Sequence, residues 1–361
     1  MIETITINQI REWLFSYRKE CAIALEVDKQ VKNLGYYKDA INDLDRLRYE
    51  ILYTSGQLIN YPPYGVLAKQ SLLSNYYRGE RCRYGSSKPT IHRYAPENKN
   101  EQFLYYFISN MRITAFTEFI KQLNIVKGWK SSIVLFEALA QHYGIATDFL
   151  DITNSLETAL FFACCKYENE KWRPLEKSDF INEQTKYGVI FKAKRDELFG
   201  SNRLLPIGFQ PLMRCHRQHA YILAMDNQED LYSDRQFVAY QFEHDENFCK
   251  EIFELSLMGE KVFPNYESLA LSKAVSCINE AKCFSEKIFD MTYSFIYNFP
   301  YIDSFITKNE LILWLNRNGV EINDTPIISQ THIDKINNTL LPYPEDDEDL
   351  NSVFRTALDI K

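Results

Sequence analysis

The sequence is poor in the residues that mark fibrous, disordered or disulfide-bonded chains. Its 361 residues include only 12 glycines and 12 prolines, which excludes collagen-like and low-complexity architectures. The eight cysteines include no Cys-x-x-Cys pair. This spacing predicts reduced thiols rather than a disulfide framework or a structural zinc site, so no metal ligands are assigned.

Long apolar runs are also absent. The longest, such as the stretch from Ala159 to Cys165, cover a few residues, whereas a membrane-spanning helix needs about 20. The first twenty residues place Glu3 among mixed charged and apolar side chains, which is the wrong order for a cleavable export signal. We therefore expect a cytoplasmic protein with no membrane partner.

The charge balance is acidic. With 41 basic and 49 acidic residues the formal net charge is −8, which argues against nucleic acid as a partner, although a local basic patch can still attract an anion. Hydrophobic residues make up 45% and aromatic residues 14% of the chain. A chain of this length and composition can bury a sizeable core.

The apolar spacing predicts an α+β protein with a mixed, mainly antiparallel sheet. Residues 1–69 are predicted to form a helical N-terminal segment and residues 273–361 a helical C-terminal extension. Between them, a strand over 72–77 is expected to carry Arg78 and Gly79 at its end, and residues 168–186 are expected to form a loop. The other predicted strands are 187–194, 220–225 and 236–242, which could pair antiparallel, and the predicted helices are 100–123, 131–142 and 156–165. Asn154 and Glu157 have the spacing of a capping box before the last helix.

The first segment with chemical potential runs from Asn75 to Arg93. It contains five cationic residues, among them Arg78 and Arg81, and one acid, Glu80. A guanidinium can donate two parallel hydrogen bonds to phosphate, and a glycine beside it lets a ligand approach the backbone. The segment therefore predicts a phosphate clamp; the alternative is a surface loop whose arginines pair with scattered carboxylates.

The second segment, from Ala140 to Cys165, places His142 at a helix end and follows it with Asp148, Asp151 and Thr153. His142 and Asp151 together suggest a base oriented by a carboxylate, and Thr153 precedes a helix N-terminus that favours anions. The alternative is purely structural, with these polar side chains bonded to turn backbone.

The third segment, from Met213 to Tyr221, gathers two arginines, two histidines, a cysteine and a glutamine. Neighbours on an extended chain point to opposite faces, so Cys215 and His216 are not expected to act as a catalytic pair. A histidine metal site lacks partners at suitable spacing. We interpret the segment as a polar strand that lines a cleft.

These pieces, taken in order, resemble the FRG domain family, which is named for a Phe/Tyr-Arg-Gly motif. The resemblance rests on Tyr77-Arg78-Gly79, on QHYGIATDFLDIT from Gln141 to Thr153, on ALFFAC from Ala159 to Cys164, on Arg217-Gln218 and on VFPNYESLA from Val262 to Ala270. It covers residues 70–272. The family usually has Pro, Arg and Trp where this chain has Ala146, Asp148 and Ile152, so Arg78 would carry more of any anion binding. Members often occur in bacterial and phage settings that suggest defence or toxin roles.

A more distant likeness suggests a mechanism. An aromatic-Arg-Gly motif on an early strand is similar to the first motif of arginine-type ADP-ribosyltransferases, in which the arginine holds NAD. The likeness implies that Arg78 holds the phosphates of NAD or another nucleotide and that Gln218 binds a ribose hydroxyl. The second segment adds His142 and Asp151 to this candidate catalytic set, where they would shape the pocket or assist proton transfer. Tyr77, Gly79, Arg81, Tyr143 and Thr153 would help to bind the nucleotide. Gln218 stands where those enzymes have a glutamate, so a ribose hydroxyl is bonded without added charge unless Glu80, Asp151 or Glu229 supplies it.

Three hypotheses follow from the sequence. The first is a nucleotide-binding or NAD-consuming protein, an ADP-ribosyltransferase or NAD glycohydrolase, that acts in anti-phage defence or as a toxin. The second is a non-catalytic sensor whose cleft binds a nucleotide, a small phosphorylated ligand or a partner peptide, and whose helical flanks contact a protein partner. The third is a metal-dependent nuclease that uses Asp148, Asp151 and Glu157 as ligands to Mg²⁺.

Overall fold

The computed structural model describes residues 2–33, 59–61, 66–70, 73–127, 134–198, 203–207, 210–295, 306–340 and 354–356. Residues 34–58 and 62–65 of the predicted N-terminal helical segment lie outside the described residues. In the described ranges, no helix combines the length and the apolar character that crossing a membrane requires.

Strands and helices are interspersed along the chain. The strands are β1 (Ile2–Thr4), β2 (Ile59–Tyr61), β3 (Val66–Gln70), β4 (Asn75–Glu80), β5 (Phe149–Thr153), β6 (Cys165–Glu168), β7 (Lys171–Pro174), β8 (Tyr187–Lys194), β9 (Leu204–Pro206), β10 (Ala220–Ala224), β11 (Val238–Glu243), β12 (Cys283–Phe284), β13 (Glu321–Ile322) and β14 (Phe354–Thr356). The helices are α1 (Ile7–Asn33), α2 (Thr90–Arg93), α3 (Lys99–Ile120), α4 (Asn124–Lys127), α5 (Phe136–His142), α6 (Leu156–Cys164), α7 (Arg195–Leu198), α8 (Met213–Arg217), α9 (Glu246–Leu255), α10 (Asn265–Glu280), α11 (Glu286–Tyr293), α12 (Lys308–Arg317) and α13 (Gln330–Thr339). A single 3₁₀ turn covers Lys177–Asp179 in the described part of the chain.

A seven-stranded sheet organises the described residues. Its strand order is β1-β11-β8-β4-β5-β10-β9. Every neighbouring pair is antiparallel except β1 and β11, which run parallel with Ile2 opposite Ala239. This confirms the α+β fold with a mixed, mainly antiparallel sheet.

The two faces of the sheet carry separate cores because successive strand residues point to opposite sides. On β4, Tyr77 packs with α6 and α1, whereas Tyr76 packs with residues of β5, β8 and β10 on the opposite face. Helices α3, α5, α10, α11, α12 and α13 build a third apolar cluster around Phe107, Met111 and Phe116. The N-terminal β1 and α1 are thus part of the same packed unit as the sheet, while the domain boundaries at 69 and 272 stay predictions.

Several predicted elements are confirmed. Strand β8 has the predicted bounds, β10 and β11 lie within two residues of theirs, and β8 pairs antiparallel with β11. Helix α6 begins at Leu156 as predicted, but Ser155 rather than Asn154 caps it, because the Ser155 hydroxyl accepts from the Thr158 amide at 3.1 Å.

Other elements differ from the predictions. Strand β4 continues through Glu80, so Arg78 and Gly79 lie inside the strand instead of at its end. Strand β10 pairs with β5 and β9 rather than with β8. Part of the expected loop at 168–186 is the β6–β7 hairpin. The expected polar strand before Ala220 is helix α8, so the argument that Cys215 and His216 point to opposite faces of a strand does not apply.

Candidate functional site

Five segments of the chain meet at one small cavity. Strands β4 and β5, the end of α5, helix α6 and the turn between α8 and β10 surround a volume of about 160 Å³. Its polar lining includes Arg78, His142, Asp151, Thr153 and Gln218. We call this cavity the Arg78 pocket. The structure therefore brings Arg78 and Gln218 to the same hollow, together with His142 and Asp151.

The Arg78 guanidinium is held on two of its edges. Its Nε donates to Glu80 Oε1 at 3.1 Å, and its Nη1 donates to the main-chain oxygen of Asp151 at 2.9 Å. No described residue accepts a hydrogen bond from Nη2. The side chain is 18% exposed. Arg78 therefore has a fixed orientation and retains donors for a ligand, since a guanidinium carries five N–H groups.

Glu80 explains part of this arrangement. Its side chain is 4% exposed and accepts from the Ser87 hydroxyl at 2.6 Å as well as from Arg78. A buried carboxylate needs a compensating charge, because its desolvation is costly. Arg78 thus neutralises Glu80 in addition to lining the pocket.

His142 and Gln218 form a buried hydrogen-bonded pair. Gln218 Nε2 donates to the Val262 carbonyl oxygen at 3.4 Å, and this contact assigns the amide oxygen to the His142 side. His142 Nδ1 then donates to Gln218 Oε1 at 2.9 Å. The other ring nitrogen, Nε2, lies 3.3 Å from Asp151 Oδ1, although the angles fall short of a hydrogen bond. The imidazole is thus fixed on one side and faces the carboxylate on the other.

Asp151 is the accessible carboxylate of the pocket. Its side chain is 38% exposed, and Gln141 Nε2 approaches Oδ2 at 3.4 Å. Gln141 is itself held by the Thr147 hydroxyl at 2.8 Å. The main-chain oxygen of Asp151 also accepts a hydrogen bond from Arg78. Asp151 therefore holds the Arg78 cation close to its own carboxylate.

Gly79 is required by packing. A Cβ at this position would lie 1.7 Å from the carbonyl oxygen of Ala159 in α6. Gly79 borders the Arg78 pocket, but the direction in which a side chain would point is filled by helix backbone. From the sequence, Gly79 was expected to let a ligand approach the backbone. In the structure, its missing side chain allows the close contact between β4 and α6.

The remaining predicted binding residues are arranged differently. Tyr77 borders the pocket, and burial raises the pKa of its hydroxyl. Thr153 donates to the Gln218 main-chain oxygen at 2.7 Å and accepts from the Ser155 amide, which holds the turn together. Arg81 lies outside the pocket, where its Nε donates to the Tyr84 hydroxyl. Tyr143 is buried and packs under the guanidinium of Arg214 at 4.2 Å.

The carboxylates of the nuclease hypothesis do not converge. Glu157 lies in a different cavity and pairs with Arg18 at 2.7 Å. Asp148 lies beside Glu137, whose pKa is raised to about 7 by burial and by the Asp148 charge. In the part of the chain that the structure describes, no group of three or more histidine, cysteine or acidic side chains is placed to hold a metal ion.

Arg214 is a residue that the sequence did not single out. Its Nη1 donates to the His142 main-chain oxygen at 2.7 Å, and its guanidinium stacks between Tyr143 and Phe263 at 4.2 and 5.1 Å. It therefore fixes the end of α5 that carries His142. The cations of the segment from Met213 are visible in the sequence. The segment was predicted as a strand, however, and this contact depends on its being helix α8.

Comparison with known proteins supports one relationship. The FRG domain model matches residues 74–171. This range contains Arg78, His142 and Asp151, whereas Gln218 lies beyond it. No curated protein matches the chain, and no solved structure matches it.

Proposed function

We propose that this chain, which carries an FRG domain over residues 74–171, binds a nucleotide such as NAD in the Arg78 pocket and cleaves its glycosidic bond. One observation carries the proposal. Arg78, Asp151, His142 and Gln218 come from separate segments and line one cavity. These side chains suit three parts of a nucleotide. The cation can bind phosphate, the accessible carboxylate can stabilise an oxocarbenium-like ribose, and the amide can bind a ribose hydroxyl.

Binding is assigned to Arg78 and Gln218. The Nη2 group of Arg78 is available to a phosphate or ribose oxygen. Gln218 Oε1 accepts one hydrogen bond from His142, and an amide oxygen has a second lone pair that can accept from a ribose hydroxyl. Neither contact requires the buried network to break.

The reaction is assigned to Asp151. When the bond between ribose and nicotinamide breaks, its electron pair leaves with the neutral nicotinamide and positive charge develops on the ribose. A carboxylate fixed near that position stabilises the transition state more than the ground state. Water, or an acceptor nucleophile, then adds to the ribose, and Asp151 or the adjacent His142 takes its proton.

The size of the pocket limits what it can hold. A volume of about 160 Å³ lies below the roughly 300–1,000 Å³ typical of sites for small-molecule ligands. The Arg78 pocket therefore takes one end of a dinucleotide, and the remainder extends beyond it.

The test is incubation of the purified chain with NAD, with bound NAD measured by titration calorimetry and released nicotinamide by chromatography. Asp151→Asn keeps the shape of the side chain and removes its charge. We expect it to lower kcat by roughly 100-fold or more and to leave NAD affinity nearly unchanged. Equal turnover by the variant and the wild type would refute the role of Asp151.

Arg78 needs a matched design because it also neutralises Glu80. Removal of Arg78 alone leaves a buried carboxylate unpaired and confounds binding with unfolding. The informative comparison is the double variant Arg78→Gln with Glu80→Gln against Glu80→Gln alone. We expect NAD binding to survive in the single variant and to weaken roughly tenfold in the double variant. Equal affinity of the two would remove Arg78 from the binding site.

A sensor without catalysis is the second candidate. The observation that favours it is that the side chains of His142 and Arg78 are already hydrogen-bonded within the chain. Such fixed side chains suit a rigid recognition site. Stoichiometric NAD binding with no nicotinamide release over hours would support this function over catalysis.

We extend the proposal to defence or toxin activity, which is suggested by the settings in which the resembled family occurs. An enzyme that depletes NAD would arrest the growth of the cell that contains it. Expression of the wild type in bacteria should therefore lower cellular NAD and slow growth, while Asp151→Asn should do neither. Normal NAD levels and growth with the wild type would contradict this role.

A further inference from the structure

A second and larger cavity lies beside the Arg78 pocket. It has a volume of about 900 Å³ and lies among the β6–β7 hairpin, the residue after α5, helix α8, the segment that ends α9 and follows it, and α10. This volume is within the roughly 300–1,000 Å³ typical of sites for small-molecule ligands. We call it the aromatic cavity, because its lining includes the rings of Tyr143, Tyr167, Trp172, Phe253 and Phe263.

A thin wall separates the aromatic cavity from the Arg78 pocket. Phe162 lines the Arg78 pocket, and the centre of its ring lies 5.8 Å from that of Phe263 and 6.2 Å from that of Trp172. His142 lines the Arg78 pocket, and the next residue, Tyr143, lines the aromatic cavity. The two cavities are therefore close enough for one extended ligand to occupy both.

Arg214 lies at this wall and lines the aromatic cavity. Its Nη1 donates to the His142 main-chain oxygen at 2.7 Å, and its guanidinium lies 4.2 and 5.1 Å from the ring centres of Tyr143 and Phe263. Its Nε and Nη2 donate to no described residue. Because Nε is buried, Nη2 is the donor that remains for a ligand. A guanidinium held in this way is prepared to bind a phosphate oxygen.

The net charge of the lining does not select the ligand. Two cations, Lys171 and Arg214, are matched by two acids, Glu170 and Glu260. Anion binding therefore depends on the fixed position of the Arg214 guanidinium, and the aromatic part of the lining favours an uncharged, flat group. A compound that joins a flat ring to a phosphate matches both parts.

The accessible part of the lining suits a nucleobase. The rings of Trp172 and Phe263 stack on each other at 4.6 Å, but Tyr167 is 56% exposed and Met258 is 68% exposed. Every nucleobase has a face that can stack on an aromatic side chain, and the thioether of methionine packs well against aromatic rings. Tyr167 and Met258 therefore offer contacts that the protein itself does not use up.

We infer that the aromatic cavity holds the adenosine half of a dinucleotide, that Arg214 binds its diphosphate, and that the other half enters the Arg78 pocket. The inference rests on the proposed function, which names NAD and so makes the outer half adenosine. The Arg78 pocket, at about 160 Å³, cannot contain a dinucleotide, and the neighbouring cavity of about 900 Å³ supplies the missing volume. Arg214 contacts residues of both cavities, which is the place of the diphosphate that joins two nucleosides.

Titration calorimetry of the full chain with ADP and with adenosine tests the cavity apart from the reaction, because neither compound carries nicotinamide. We expect ADP to bind roughly tenfold more tightly than adenosine. Arg214→Met keeps an unbranched apolar side chain between the two rings and removes the donors. It should lower the affinity for ADP to that for adenosine and leave adenosine binding unchanged. An equal loss for both ligands would make Arg214 a structural residue and overturn its assignment to the diphosphate.

Two matched pairs of variants locate the site. Tyr167→Ala should weaken ADP binding roughly fivefold or more, whereas Tyr94→Ala, at a 65% exposed tyrosine outside the cavity lining, should change it less than about twofold. Met258→Asp brings a carboxylate to the cavity. Leu257→Asp does the same at the preceding exposed residue, which shares the left-handed backbone but does not line the cavity. We expect only Met258→Asp to weaken ADP binding, by roughly fivefold. Thermal unfolding verifies that each variant is folded.

The outcomes separate this inference from the proposed function. ADP binding that depends on Tyr167, without any release of nicotinamide from NAD, would support the aromatic cavity and contradict the proposed reaction. Nicotinamide release with equal kcat/KM for NAD and for nicotinamide mononucleotide would keep the reaction and overturn the inference. Absence of ADP binding, or equal ADP affinity in Tyr167→Ala and Tyr94→Ala, would also overturn it.

Discussion

Gly79 lies where the sheet and α6 make their closest approach. The backbone of the helix fills the place of a side chain at this position, so the Arg-Gly pair on β4 combines two separate requirements. The arginine faces the pocket and the glycine admits the helix whose first turn borders it. The tripeptide motif can thus be recognised in the sequence. The groups that each of its residues contacts cannot be predicted from the sequence.

Gly79→Ala should destabilise the protein strongly. Its Cβ would lie 1.7 Å from the Ala159 carbonyl oxygen, a contact that only a shift of the helix can relieve, so we expect a loss of about 3 kcal/mol or more in the free energy of unfolding. Urea denaturation measures it. The control is Gly85→Ala, where φ is +76° but no atom lies within 4 Å, and we expect about 1–2 kcal/mol. Equal losses would show that the helix does not set the requirement at position 79.

The candidate site was partly predictable at this scale. Arg78, His142, Asp151 and Gln218 lie in three segments that the sequence marks by their clustered polar and charged residues, and their convergence could be proposed from the resemblance. Burial of Glu80 and the position of Arg214 could not be proposed, because each depends on which chain segment packs against it. Local sequence does not contain that information.

The short polar elements were the hardest to predict. Residues 165–174 form a hairpin in which Lys166 and Arg173 make ion pairs with Glu168 and Asp179 at 2.7 to 3.1 Å. In the sequence this density of charge resembles a solvated loop. In the structure the charges neutralise one another within and beside the hairpin. By contrast, β8 and β11 carry apolar patterns strong enough to be located directly.

The contact between Glu137 of α5 and Asp148, the residue before β5, predicts a pH dependence of stability. Burial and the neighbouring Asp148 raise the pKa of Glu137 from 4.5 to about 7. The folded protein therefore holds this proton more tightly than the unfolded chain, and the stability that results is complete below about pH 4.5 and is lost as the pH rises through about 7.

Glu137→Gln mimics the protonated acid and should remove this loss. We expect the variant to be more stable than the wild type by roughly 2 kcal/mol near pH 8 and about equally stable near pH 4. Urea titrations across this interval measure the difference. Glu254→Gln, an exposed position on α9, is the control and should leave the profile unchanged. A parallel profile for Glu137→Gln and the wild type would contradict the prediction.

On the scale of the whole molecule, the N-terminal elements belong to the core. Ile10, Leu14 and Tyr17 of α1 are buried in the same cluster as Tyr77 and Leu156. The helical character of this segment could be predicted from its spacing. Its docking could not, since β1 pairs with a strand more than 200 residues away and no local pattern specifies such a partner.

Ile10→Ala should therefore destabilise the entire protein. Ile10 is fully buried, and truncation of a buried isoleucine costs about 2–5 kcal/mol. We expect the main unfolding transition, followed by circular dichroism, to shift as one step. Phe15→Ala on the same helix is the control, because Phe15 is 73% exposed, and it should change stability by less than about 0.5 kcal/mol. An unmoved main transition would mean that α1 unfolds independently.

The parallel pairing of β1 with β11 also constrains synthesis on the ribosome. Ile2 emerges long before its partner Ala239, and at about 5–20 residues per second the wait is on the order of tens of seconds. Throughout that interval the apolar side of α1 has no completed sheet to cover it, which makes the nascent chain a substrate for chaperones that bind exposed hydrophobic helices.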